Sequence, residues 1–194
     1  IEAAISPIPY PNTPVLTDNT IAANGDDGVY MSGGVATLTG NIFDGNTGDA
    51  DNLNRGGGLY LEMEDFAIAD VRDSIFSNNT WDFSAPSSYN TTDGAHLRTH
   101  DYATLVVERC AFIDNRSPNS DQPTQLYVVA ENDSTAVVAS SLFTGGYWGA
   151  RAHDADTADL HLTHLTVTNN DRSVQFGSAG GGERELNNSI LSGN

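Results

Sequence analysis

Apolar and polar positions recur along this chain in a fixed frame. An apolar anchor is followed, after two variable positions, by Asn: Ile21…Asn24, Phe43…Asn46, Phe76…Asn79, Phe112…Asn115, Val167…Asn170 and Leu191…Asn194. Phe143…Gly146 keeps the anchor and lacks the Asn. Five residues before each anchor stands another apolar position: Leu16, Leu38, Val71, Val107, Val138, Leu162 and Leu186. Alternation through these segments, as in Ala67-Ile68-Ala69-Asp70-Val71, predicts a strand. Another strand follows a glycine or its stand-in, with a polar or aromatic residue between apolar flanks: Val29-Tyr30-Met31, Leu59-Tyr60-Leu61, Ala95-His96-Leu97, Leu126-Tyr127-Val128, Ala150-Arg151-Ala152 and Val174-Gln175-Phe176. Each unit therefore carries two strands. Side chains alternate across a strand, so the flanks face inward and the middle residue outward.

From Tyr60 to Phe76 is 16 residues, as it is from His96 to Phe112, Tyr127 to Phe143, Arg151 to Val167 and Gln175 to Leu191; the Tyr30 unit is shorter. The return leg varies, and the shortest complete unit is 24 residues. A constant segment alternating with an elastic one is the signature of a solenoid. Such short units bury no core alone; stacked at about 4.8 Å they bury a continuous one. The pattern predicts an all-β, right-handed single-stranded parallel β-helix of about seven rungs over residues 14–194. Leu38, Val71, Val107, Val138 and Leu162 should form one buried column. Asn24, Asn46, Asn79, Asn115, Asn170 and Asn194 should form a structural turn ladder, because Asn tolerates left-handed backbone and bonds along a stack. An antiparallel sandwich would need tight hairpin turns that the chain scarcely offers. Residues 1–13 are Pro-rich, lack an anchor pair and read as a linker or cap. The sequence opens on Ile and stops in the turn column without a polar cap. That predicts either further rungs or head-to-tail self-association through open strand edges.

Three anchors match F-x-x-N strictly, Phe43…Asn46, Phe76…Asn79 and Phe112…Asn115, with Gly57-Gly58-Leu59 as the glycine partner and Gly94-Ala95 a partial one. This pairing resembles the repeat of the polymorphic outer-membrane protein family, bacterial surface β-helix passengers. The resemblance implies an extracellular or bacterial cell-surface location, and adhesion.

Charge narrows the partners. With 8 Lys+Arg against 26 Asp+Glu, the net charge is −18. Nucleic acid and anionic membrane surfaces both want basic patches, so neither is expected as a partner. No apolar run is long enough to span a bilayer, so no membrane insertion is expected. Cation binding, a salty habitat and plain solubility all fit the acidity. The single cysteine, Cys110, rules out an internal disulfide framework and reads as a small strand or core residue.

Candidate chemistry gathers on the outward ladder Tyr30, Tyr60, His96, Tyr127, Arg151 and Gln175, and on Ser32, Glu62, Arg98, Val129, His153 and Gly177 two positions on. The longest insertions, 47–55, 80–93 and 116–124, open onto this face, where loops concentrate function. Rings beside charged groups suit a polysaccharide or cell-surface ligand, held by Tyr30, Tyr60, His96, Arg98, Tyr127, Arg151 and His153. Tyr also suits a strand that merely covers a sheet. Two functions remain: a structural, adhesive or glycan-binding module, or a polysaccharide lyase or glycoside hydrolase. The catalytic candidates for the second are His96, Arg98, Tyr127, Arg151 and Glu62, although a hydrolase needs paired carboxylates and the ladders offer only Glu62. No cofactor is expected; Ca²⁺ in the loop of Asp49 and Asp51 is the one metal candidate, without a nonapeptide or EF-hand pattern to support it.

Overall fold

The computed structural model describes residues 13–48, 57–81, 92–116, 123–178 and 181–194. The linker or cap at 1–13 lies outside them save for Thr13, as do Asp49, Asp51 and most of the three long insertions. The described residues form three long parallel sheets wound as one coil, and a two-stranded parallel ribbon in which Thr47–Gly48 pairs with Thr80–Trp81. The platform sheet has six strands, Val29–Ser32, Leu59–Met63, Thr92–Thr99, Thr124–Ala130, Trp148–Asp154 and Arg172–Ser178. The anchor sheet has seven, Val15–Thr17, Val35–Thr39, Ile68–Arg72, Thr104–Glu108, Thr135–Ala139, Asp159–Thr163 and Arg184–Asn187. The phenylalanine sheet has seven short strands: Thr20–Ala22, Ile42–Asp44, Ile75–Ser77, Ala111–Ile113, Leu142–Thr144, Thr166–Thr168 and Ile190–Ser192. Seven turns of a right-handed parallel β-helix result. The register is the one the repeat demands: Leu38 pairs with Val71, Val71 with Val107, Val107 with Val138 and Val138 with Leu162, all buried.

A full rung has three strands rather than two. The long strand expected through the anchors breaks at one left-handed residue, and Asp18, Gly40, Asp73, Arg109, Ser140, His164 and Asn188 all have φ between 48° and 68°. A single left-handed residue turns the chain without disturbing the inward–outward count, so alternation runs through the corner unmarked. The residue after it builds a polar column that the sequence frame did not reveal. Asn19 N donates to Asn41 Oδ1, Asn41 N to Ser74 Oγ, Cys110 N to Ser141 Oγ and Leu165 N to Ser189 Oγ, at 3.1–3.2 Å. Cys110 belongs to this column and therefore sits in a turn, not a strand. Its Sγ lies 3.5 Å from the Glu108 carbonyl and 3.6 Å from that of Val71.

Phe43, Phe76, Phe112 and Phe143 stack face to face at 4.6, 4.7 and 4.9 Å between ring centres, within 9° of parallel. Directly behind the first three rings turns the Asn column, and behind Phe143 stands Gly146. Asn24 Nδ2 donates to Asn46 Oδ1 at 2.7 Å; Asn46 Nδ2 to Asn79 Oδ1 and Asn79 Nδ2 to Asn115 Oδ1, both at 2.9 Å; Asn170 Nδ2 reaches Asn194 Oδ1 at 3.4 Å. The glycine column lies against these amides. A Cβ on Gly28 would meet the Gly58 carbonyl oxygen at 2.6 Å and Asn46 Nδ2 at 3.0 Å, and Gly58 and Gly94 are more tightly placed still. The glycines are thus the space the Asn ladder occupies.

In the last rung described the inward column takes up a charge. The inward column Ala36, Ala69, Leu105, Ala136 and Leu160 continues to Arg184. Arg184 Nε lies 2.6 Å from Oδ1 of the fully buried Asp154, as an ion pair rather than an aligned hydrogen bond. Leu186, Ile190 and Leu191 stay exposed there.

Candidate ligand platform

Parallel pairing places the outward residues of the platform sheet in one file. Tyr30 pairs with Tyr60, Tyr60 with His96, His96 with Tyr127, Tyr127 with Arg151 and Arg151 with Gln175. The Tyr30 and Tyr60 rings stack at 5.4 Å, Tyr60 meets His96 edge-on at 5.2 Å, and His96 tilts over Tyr127 at 5.0 Å. The file ends on cations. The Arg151 guanidinium lies 5.6 Å from the Tyr127 ring centre and 5.9 Å from that of Trp148, and its Nε donates to Gln175 Oε1 at 2.7 Å. Burial lowers the Arg151 pKa from its ordinary value, with Tyr127 opposing.

The ladder is less open than an outward file suggests. Tyr60 is 7% exposed and His96 6%. Each ring is flanked by another on both sides, so its faces are spent on its neighbours. The half-buried members, Tyr30, Tyr127, Arg151 and His153, retain surface for a ligand.

The second ladder holds fixed charges. Arg98 Nη2 lies 2.6 Å from Glu131 Oε2 and its Nη1 3.5 Å from Glu62 Oε1. Burial lowers the Arg98 pKa, but the hydrogen bond and charge of Glu131, then Glu62, outweigh it and raise the guanidinium above its ordinary value. Arg98 is therefore a locked cation and a poor proton acceptor. Glu62 and Glu131 are its counter-ions. His153 stands over Gly177, where a Cβ would come within 2.6 Å of its Nδ1.

Two neighbours extend the file: Trp148, whose place just before the Arg151 strand already suited that role, and Arg172, which the sequence frame missed. Trp148 and Arg172 are in register on the platform edge. Arg172 lies 5.1 Å from the Trp148 ring centre and 5.7 Å from that of Tyr147, and its Nε donates to the Tyr147 hydroxyl at 3.0 Å. Their 24-residue spacing, shared by Thr124, Trp148 and Arg172, was the available signal. Glu131 lies just past a strand end, where the frame assigns no direction.

Every one of the eight cations is Arg and none is Lys. Arg72, Arg98, Arg109, Arg116 and Arg184 each make an ion pair. Arg172 makes none among the described residues and rests on a hydroxyl and two rings. Elsewhere, Asp44 accepts from Ser77 at 2.7 Å and Asn78 at 2.8 Å, and those bonds lower its pKa. Among the described residues no three His, Cys, Asp or Glu side chains converge on a metal-sized position. No helix there is long and apolar enough to cross a membrane. Cys110 is buried, and burial pushes its thiol up to about 11, far from a reactive thiolate.

The coil, its three parallel sheets and its turn columns define a β-solenoid. The chain belongs to the right-handed β-helix family, whose model, described as a right-handed beta helix region, matches residues 10–194. Neither a curated protein nor a solved structure matches it.

Proposed function

We propose that the protein is a secreted or surface-displayed module that holds an extended polysaccharide along the platform sheet. One observation carries this reading: the unbroken outward file of rings and guanidinium groups from Tyr30 through Arg151, continued at its edge by Trp148 and Arg172. The half-buried Tyr30 and Tyr127 supply ring surface for sugar C–H groups, and Arg151 supplies forked donors for hydroxyl or carboxylate oxygens. The strict F-x-x-N rungs, similar to those of the polymorphic outer-membrane proteins, support display at a cell surface. A binding role is preferred over catalysis because Arg98 is held by two carboxylates and Glu62 by Arg98.

The test is a glycan array followed by calorimetry on the hits. Tyr127→Ala and Arg151→Ala should each weaken binding about tenfold, or ~1.4 kcal/mol. His96→Ala should act through fold stability instead, since that ring is buried. The same glycans are incubated with the protein and followed for new reducing ends and for unsaturated uronate absorbance. Wild-type turnover that Arg98→Ala abolishes while the variant stays folded would replace the binding reading with a lyase or hydrolase.

A further inference from the structure

At the corner between platform and anchor sheets, two aromatic side chains project into solvent. Phe66 is 68% exposed and Tyr102 55%, and their rings stack at 5.0 Å with 8° between planes. Both have left-handed backbone, φ 66° and 68°, a conformation bulky residues rarely hold. Burial does not explain them, since they leave most of their surface in water.

The stack has an open face. Ser32 pairs with Glu62 and Val35 with Ile68, so the preceding rung turns this corner through Gly33 and Gly34 alone and has no residue in register with Phe66. On the other side, the pairing of Thr104 with Thr135 sets Asp133 against Tyr102. The rim is acidic. Asp65 and Asp101 are chain neighbours of the rings, and Glu64 lies 3.5 Å from His100. The nearby donors are already engaged: His100 Nδ1 and Asn132 Nδ2 both meet Asp101, at 2.9 and 2.8 Å. Those bonds, His100 first, lower the Asp101 pKa and keep it ionised.

Ionised carboxylates only accept hydrogen bonds. A sugar needs donors as well as acceptors around it, and this rim offers acceptors. A planar cation suits both parts, lying flat on a ring while its N–H edge reaches carboxylates. The protein uses that geometry itself, in Arg172 over Trp148 and Tyr147. We propose that the Phe66–Tyr102 corner is a second binding site, independent of the platform, that receives an arginine side chain of a partner polypeptide. The net charge of −18 would draw such a partner in.

Amide spectra titrated with N-acetyl-arginine amide, at constant ionic strength, test this. Saturable shifts should be confined to residues 64–67 and 100–103, leaving Tyr127 and Arg151 unmoved. Phe66→Asn and Tyr102→Asn should each weaken the response at least tenfold, and Asn tolerates the left-handed backbone at both positions. Equal shifts with N-acetyl-lysine amide would reduce the effect to diffuse attraction and overturn the proposal. So would shifts produced by methyl glucoside in place of the arginine probe, or no shifts at all. If a variant misfolds, the wild-type comparison of arginine, lysine and glucoside still decides.

Discussion

Cys110 illustrates how one residue takes its meaning from its column. Ser74, Ser141 and Ser189 occupy the same turn and send their hydroxyls to the carbonyl two residues back, at 2.7, 2.8 and 2.9 Å. The thiol occupies that place with weaker, longer contacts and is enclosed by the core. Its pKa is raised by burial from 9.0 to about 11 in the folded chain. An acid that holds its proton more tightly when folded contributes full stability below the unfolded pKa. Between pH 9 and 11 the unfolded chain binds fewer protons, so stability falls as pH rises, by about 1.4 kcal/mol per unit. Denaturant melts of wild type and Cys110→Ser across pH 8–11 should diverge by that slope. Parallel curves would mean that the thiol is less enclosed than its surroundings indicate.

Rungs are coupled as elements, and the one that lacks its Asn makes the coupling plain. At Gly146 the ladder amide is supplied from the platform strand. Gln125 Oε1 accepts from Asn115 Nδ2 at 2.5 Å and Asn115 N at 3.3 Å, and Gln125 Nε2 donates to the Thr144 carbonyl at 2.8 Å. Gln125 stands in the glycine column, and a Cβ on Gly146 would come within 2.7 Å of its Nε2. Glycine and amide have exchanged places between neighbouring columns. Gln125→Gly should cost about 2 kcal/mol by orphaning buried donors on Asn115. Gly146→Asn alone should cost a similar ~1–3 kcal/mol by overpacking. The double variant should recover to within about 1 kcal/mol of wild type, measured as a double-mutant cycle in urea. Additive losses would show that the two sites are not one unit.

Across the whole molecule, acidity sets the conditions of stability. The exposed and half-exposed ion pairs, such as Arg109 with Asp73 at 2.7 Å and Arg72 with Glu108 at 2.9 Å, are screened by solvent and individually contribute little. They leave a net −18 spread along a rod, and that charge repels itself. Raising NaCl from 10 mM to 0.5 M shortens the screening length from about 30 Å to a few ångströms. The melting temperature should therefore rise, by roughly 2–4 °C for each kcal/mol of repulsion relieved. A fall would mean that ion pairs outweigh self-repulsion.

The sequence by itself determined the solenoid. Leu38, Val71, Val107, Val138 and Leu162 could share a column only in a stacked parallel coil, because repeated inward positions at constant spacing bury nothing until they are superposed. The same spacing put Tyr30, Tyr60, His96, Tyr127 and Arg151 in one file, since pairing in register carries outward residues along with inward ones. Tertiary structure decided what spacing does not encode. The corner at Asp73 or Ser140 depends on one backbone dihedral angle and leaves the alternation intact. Gln125 replaces an Asn from another strand, a contact between columns with no local signature. The burial of Tyr60 and His96, the Arg98 bridge to Glu131, and the exposed pair Phe66–Tyr102 follow from how neighbouring rungs meet. Register along a column is written in the repeat, whereas contacts between columns exist only once the coil has closed.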